Sequence, residues 1–424
     1  MGKSDSKTIV IVGGGVIGLS TAYYASLKGH RVTVIDREPC DHPGCSFGNA
    51  GMVVPSHFVP LAAPGMVARG LRWMWNPESP FYIKPRLNWD LLTWSIRFWM
   101  ACTPAHVKRC APILRDLHFQ SQACFEELAD LTGNDFGFQK RGLLMLCKTE
   151  HALEEEAKAA ADAVRLGVPS QVLSARETAQ ADPHVRMDIA GSVYYQKDCH
   201  LTPQRFMREL RRLLEASGTR FEWSTEVQRW RRIDDRIVAL ETSRGDFVAD
   251  EYVLCAGSWS PAIVAQLGLS LPMQAGKGYS LTLPRPRQLP SICSIFTEAR
   301  LAVTPMGNTL RFGGTMEISG LDEAINPARV RGIIKSIPQY YPEFSAQDFE
   351  GIAPWRGLRP CSPDGMPYVG RFSQFKNLST ATGHAMMGLS LGPVTGKLIA
   401  QILSDEPMSE DVSLLNPDRY ASRF

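Results

Sequence analysis

A chain of 424 residues is long enough for two or three domains with a sizeable core, or for one discontinuous pair. Its 44% hydrophobic and 21% charged residues match ordinary globular chains, which excludes disorder, collagen and coiled coil. Forty-six basic against forty-three acidic residues leave +3 and no electrostatic footprint for nucleic acid, and the basic runs around Arg208 and Arg229 lie beside acids and read as solvated faces.

Met1-Gly2-Lys3-Ser4-Asp5-Ser6 fits the loose N-myristoylation pattern, and Lys3 and Lys7 ahead of the run Ile9 to Leu19 mimic a signal peptide. Four glycines inside that run argue against a leader. Thr8 to Val12 is instead a β-branched strand of the kind buried in a parallel sheet, ending directly in Gly13-Gly14-Gly15-Val16-Ile17-Gly18. Leu19 to Lys28 predicts a helix closed by Gly29, and Arg31 to Ile35 a second strand with Asp36 at its end. This is the dinucleotide fingerprint in its full context: Gly13 for the tight turn, Gly15 for backbone approach to a pyrophosphate, Gly18 for helix-to-strand packing. Val16 and Ile17 open the helix, Asp36 suits the ribose hydroxyls, and Arg37 beside it leaves a 2′-phosphate open. FAD and NAD both use this pattern.

Gly44 to Met52 follows as a loop of small residues suited to packing against a bulky ligand, with Ser46 offering a hydroxyl to phosphate; a plain glycine-rich loop is the alternative. Leu87 to Ala101 predicts an apolar helix with two faces, Leu87, Leu91, Trp94 and Phe98 on one and Trp89, Leu92, Ile96 and Trp99 on the other. Burial is the expectation for it, with contact at a bilayer headgroup level as the alternative, joined by Trp73 and Trp75. Glu150 to Leu166 predicts a surface helix stopped by Gly167, and Thr202-Pro203 to Ser217-Gly218 a capped helix. Phe221 to Val227, Ile237 to Thr242 and Phe247 to Leu254 then read as a β-meander. Ten cysteines and nine histidines show no metal-ligand spacing, which predicts reduced thiols, a cytoplasmic chain and no metal. No stretch reaches the length of a membrane span.

The residues beyond the fingerprint carry a resemblance. Ser46-Phe47-Gly48-Asn49-Ala50-Gly51, Ala62-Ala63-Pro64-Gly65 before Trp73-Met74-Trp75, Gly276 to Leu281, Gly357 to Gly365, Thr382-Gly383-His384 through Gly388, and Gly396-Lys397-Leu398 occur in one order. In these the chain resembles the D-amino-acid oxidase superfamily of flavoproteins, and within it bacterial D-amino acid dehydrogenases. The resemblance implies a mixed α/β fold in which a Rossmann-like FAD-binding domain (1–60, 198–262 and 352–424) interleaves with a substrate domain of β-sheet plus helices (61–197 and 263–351).

It implies FAD touched by Ser46, Asn49, Ala50, Gly51 and Met52, by Val227 near adenine and Gly257 near the phosphates, and by Gly383, His384 and Gly388 around the flavin. Arg359 matches an arginine that holds a substrate carboxylate in several members, with a structural ion pair to Asp364 as the alternative. Tyr279 matches a position whose hydroxyl can bond the same carboxylate, and Met316 and Met387 are candidates for the side-chain pocket. The resemblance further implies noncovalent FAD, because relatives with a covalent flavin carry a cysteine where this chain has Gly357, with Cys361 out of register. Oxidases in the group carry a lysine where this chain has Met387, which implies slow reaction with oxygen. The expected activity is oxidation of the Cα–N bond of a small D-amino or imino acid, by hydride transfer to the flavin. The expected electron acceptor is a quinone or an electron-transfer protein, and the expected location is the cytoplasm or the inner face of the membrane. A glycine- or sarcosine-type oxidase and a flavin-carrying subunit of a hetero-oligomer are the alternatives.

Overall fold

The computed structural model describes residues 6–74, 76–408 and 412–421, so the myristoylation motif and Trp75 lie outside the described residues. Thr8–Val12 sits inside a six-stranded sheet of order Tyr368–Arg371, Leu378–Thr382, Glu251–Leu254, Thr8–Val12, Arg31–Ile35, Arg220–Glu222. All pairs are parallel except the one made by Tyr368–Arg371. Parallel strands are covered on both faces, and the run Ile9 to Val12 is accordingly buried throughout. The helix Val16–Leu27 starts earlier than the apolar pattern indicates, directly after Gly15. It packs on the C-terminal helix Gly392–Leu403 so closely that a Cβ at Gly396 would lie 2.4 Å from the Ser20 backbone carbon.

The predicted meander is divided between two sheets. Arg220–Glu222 and Glu251–Leu254 join the six-stranded sheet, whereas Val227–Ile233, Arg236–Thr242 and Gly245–Phe247 form a separate antiparallel sheet. Ser224, at a φ of 52°, breaks the first predicted strand in two. Val227–Ile233 escapes the pattern because only Trp230 is buried among exposed arginines.

The second layer is a nine-stranded sheet in which Trp355–Cys361, Gln274–Leu283, Thr309–Ile318, Leu301–Met306, Cys293–Phe296, Leu143–Cys147, Gly191–Tyr195 and Ser170–Ser174 follow in order. Phe81–Ile83 pairs in parallel with Thr309–Ile318 off that path. Trp355–Cys361 therefore belongs to this sheet, through its antiparallel register with Gln274–Leu283, and the return to the six-stranded sheet comes at Tyr368 rather than at 352. The long helix Pro104–Thr132 spans the junction, capped by the Thr103 side chain and stopped by Gly133. The predicted apolar helix is Trp89–Ala101, capped by Asn88, and it splits by face: Leu91 and Trp94 are buried, while Trp89 is 78% and Trp99 65% exposed. Expected burial holds for one face only. All ten cysteines are unpaired.

Candidate active site

A cavity of about 1110 Å³ runs from the fingerprint loop to the nine-stranded sheet, larger than the roughly 300–1,000 Å³ typical of small-molecule pockets. Gly13 has a φ of +114°, and a Cβ there would meet the Cys255 carbonyl oxygen at 2.4 Å, so the turn admits no side chain. A Cβ at Gly18 would overlap the Gly13 carbonyl, which is the helix-to-strand packing its position predicts; Gly18 itself lies behind the wall. At the helix N-terminus, Val16 donates its N–H to Ser46 Oγ at 3.0 Å, and Ile17 lines the cavity next to it. Asp36 accepts from the Gly14 N–H at 2.6 Å and the Glu38 N–H at 2.9 Å, which aims the carboxylate at the loop. Arg37 stacks on the Trp259 ring at 4.1 Å, and Val227 and Gly257 line the same end.

Trp223, Trp259 and Arg211 also line this end and were not legible as site residues. Trp223 follows the strand Arg220–Glu222 at the carboxyl edge of the parallel sheet, where ligands of such sheets bind; that position is the signal that identifies it.

In the middle, Asn49 Oδ1 accepts from the Gly51 N–H at 2.8 Å and shapes the loop, while Ala50 and Met52 line the cavity and Gly51 stands behind them. Arg311, a buried arginine between Leu310 and Phe312, donates to the Asn49 carbonyl at 2.7 Å and the Phe47 carbonyl at 3.2 Å. Burial pushes its guanidinium down to about 10, and the loop carbonyls are what hold it in place. Trp355 backs the same loop, and a Cβ at Gly48 would lie 2.0 Å from its ring.

The far end holds Arg359. Its register partner is Gly276, and a Cβ at Gly278 would lie 2.2 Å from Nη2, so Gly278 clears the space the guanidinium occupies. Arg359 donates to the Thr315 carbonyl at 2.7 Å, and no carboxylate lies within ion-pair distance of it among the described residues. Thr315 stands at a φ of 65° at an irregularity in its strand pairing. The expected alternative partner is taken: Asp364 is held by Arg419 at 2.7 and 3.0 Å. Burial holds the Arg359 guanidinium below its ordinary range, with the Cys45 and Cys361 thiols beside it.

Gly278 lies against Arg359, and Ser280 donates to the Gly48 carbonyl at 3.1 Å. Tyr279 between them lines the cavity. Its hydroxyl donates to Glu317 Oε2 at 3.0 Å and accepts from the Asn326 N–H at 3.2 Å, so both its hydrogen-bonding roles are taken.

Met316 lines the cavity with Trp94 and Phe98, and Trp94 Nε1 donates to the Cys361 carbonyl at 2.9 Å. His384 lines it with Nε2 3.0 Å from Thr395 Oγ1 and Nδ1 buried without a partner, and Gly388 is beside it. Gly383 supports the turn from behind, against the Tyr368 ring. Met387 lines the cavity, with His118 Nε2 3.4 Å from its sulfur.

The sequence pattern of the FAD dependent oxidoreductase family matches residues 8–402. The chain is 34% identical over 421 residues to a D-amino acid dehydrogenase of Granulibacter bethesdensis, covering 97% of this chain and 99% of the relative. Among solved structures it is similar to the glycine oxidase of Geobacillus kaustophilus (TM-score 0.77, 24% identity, 98% and 99% coverage). The L-proline dehydrogenase of P. horikoshii has the same fold (TM-score 0.73, 16% identity, 98% of each chain). The forced glycine turn, the acid aimed at it, the length of the cavity and the orphaned His384 Nδ1 all fit a flavin dinucleotide.

Proposed function

The chain belongs to the FAD dependent oxidoreductase family, and from that membership we propose that it is a dehydrogenase of small D-amino or cyclic imino acids, with Arg359 as the carboxylate clamp. The observation that carries this reading is a half-buried guanidinium in the cavity wall whose one hydrogen bond among the described residues is to a backbone carbonyl. A partly desolvated charge without a counter-ion is costly, and a substrate carboxylate supplies the missing partner through two parallel bonds. Bound FAD supplies the acceptor for the two electrons leaving Cα. The protein's part is to fix the carboxylate, leave a neutral amine, and hold Cα–H in one direction. Trp94, Phe98 and Met316 close that end with apolar surface, which favours a short or cyclic apolar side chain. We hold the FAD to be noncovalent: Gly357 supplies no thiol, and Cys361 is buried outside the cavity wall.

The finer reading of the acceptor rests on where the cavity opens. Leu71 and Trp99 both line it and are exposed, so one of its openings lies between the helices Met66–Trp73 and Trp89–Ala101. Trp89, Leu92, Ile96, Trp99 and Met100 present an apolar face there, beside exposed Arg69 and Arg72. Such a face suits the headgroup level of an anionic bilayer, and a lipid-soluble quinone is the acceptor it implies. No helix among the described residues is long and apolar enough to cross a membrane.

The test is Arg359→Lys, which keeps the charge and loses the planar fork. It is expected to raise KM and lower turnover, with a loss in kcat/KM of roughly 2 to 5 kcal/mol, while FAD stays bound. Unchanged kinetics would remove Arg359 from the site.

A further inference from the structure

A second set of ionisable groups reaches the cavity wall away from Arg359. Asp198 is fully buried in the turn that joins Gly191–Tyr195 to Cys199–His200. Its Oδ2 is 2.5 Å from Ser56 Oγ, its Oδ1 accepts from the Ser56 N–H at 3.0 Å, and Ser56 Oγ is 3.0 Å from His57 Nδ1. No cation lies within ion-pair distance of Asp198 among the described residues. His57 lines the cavity together with Val54, Met145, Ile295 and Ala302, an apolar region with Arg300 at its edge. The ionisable neighbours of the two ends differ: Arg359 is beside the Cys45 and Cys361 thiols, whereas His57 faces Arg300 and His118.

We propose that Asp198, Ser56 and His57 form a proton-transfer path that delivers a proton to a second, apolar reactant of the quinone class in this part of the cavity. The proposal rests on the dehydrogenase reading above for the source of the hydride. Reduction of a quinone to a quinol takes one hydride and one proton. The hydride equivalent originates at the substrate's Cα, and FAD, when bound, would supply the redox link between the two reactants. The proton leaves the Asp198 carboxyl for Ser56 Oγ as the Ser56 proton moves to His57 Nδ1 and the His57 Nε2 proton goes to the quinone oxygen. Asp198 is left as a carboxylate, and the proton lost by the substrate nitrogen on oxidation restores the balance.

The buried environment suits the donor. Burial lifts the Asp198 carboxyl to about 7, with Ser56 opposing the shift, and its other ionisable neighbours, Tyr195, Cys199 and Cys293, are neutral hydroxyl and thiols. His57 is pushed down to about 4 by burial and then by Arg300, and His118 behind it to about 3, so both rings are neutral and His57 can accept at Nδ1 while donating from Nε2. The carboxyl is the proton reservoir, and Ser56 and Asp198 act through His57 as positioning residues.

The experiment follows the reoxidation of dithionite-reduced holoenzyme by a water-soluble benzoquinone in a stopped-flow instrument, alongside reduction of the oxidised holoenzyme by an amino acid. Ser56→Ala is expected to slow reoxidation at least about tenfold more than it slows reduction, and Ser56→Thr to restore it. Asp198→Asn is expected to remove a break near neutral pH from the reoxidation rate. Infrared difference spectra of the wild type, which need no turnover, are expected to show a protonated-carboxyl band that titrates near pH 7 and is absent from Asp198→Asn. Equal slowing of both reactions, unaltered reoxidation in Ser56→Ala, or absence of the band in the wild type would overturn the path. Failure of every amino acid to reduce the flavin would instead refute the dehydrogenase reading, because dithionite supplies the electrons in the relay arm.

Discussion

Arg359 owes its place to residues with no side chain. The register sets it opposite Gly276, and Gly278 leaves open the volume its guanidinium fills. Gly278→Ala is therefore expected to displace the fork and lower kcat/KM by about tenfold or more, with little change in FAD binding, because a misplacement of about 1 Å costs that much at a positioned group. Steady-state kinetics together with a flavin-to-protein ratio check this, and normal kinetics in Gly278→Ala would show that the fork tolerates displacement. Arg359 was legible in the sequence because a motif carries it. Tyr279 sits in a motif too and lines the cavity, yet its hydroxyl is bonded to Glu317 beside a pairing irregularity, which is not written in local spacing. Arg311 was invisible for a related reason: its partners are backbone carbonyls of Phe47 and Asn49, more than 260 residues away.

Among the elements, the fingerprint strand, turn and helix were readable because glycine spacing and β-branched runs act locally, as were the helix Glu150–Arg165 and the helix Pro203–Ala216, although Thr202 makes no side-chain cap bond there. The split meander was not, because which sheet a strand joins depends on a left-handed Ser224 and on partners distant in the chain. The helix Trp89–Ala101 shows the limit most clearly: the pattern gives two apolar faces and cannot say which is covered. With Trp73 half-buried against Phe81, the exposed Trp89 and Trp99 are the residues to test for lipid contact. Flotation with liposomes containing anionic lipid is expected to recover the wild type, and Trp89→Ser with Trp99→Ser to weaken recovery. No flotation of the wild type at any lipid composition would leave this face without a membrane role.

At the scale of the whole molecule, buried neutral histidines govern acid stability. Burial pushes His118 and His384 down to about 3 and His57 and His200 to about 4. The unfolded chain protonates near 6.5, so between that value and the folded ones it binds more protons than the native state, and stability falls as pH drops. Each histidine contributes on the order of 3 kcal/mol across that window. Asp198 acts in the opposite sense, since its raised carboxyl is favourable below about 4 and loses that contribution as pH rises to about 7. Four against one leaves a net loss toward acid, comparable to the roughly 5–15 kcal/mol stability of a typical domain. Calorimetry is expected to show Tm falling steeply from pH 6.5 to 4, and a flat profile would contradict these burials.

The central claim, that the cavity oxidises a small D-amino or imino acid held by Arg359, is tested most directly by anaerobic titration of the purified holoenzyme with D- and L-alanine and D- and L-proline, following the flavin's yellow absorption. Bleaching by a D-enantiomer in wild type, with a much higher half-saturating concentration in Arg359→Lys, is the predicted result. Flavin that dithionite bleaches but no amino acid of either hand does would contradict it.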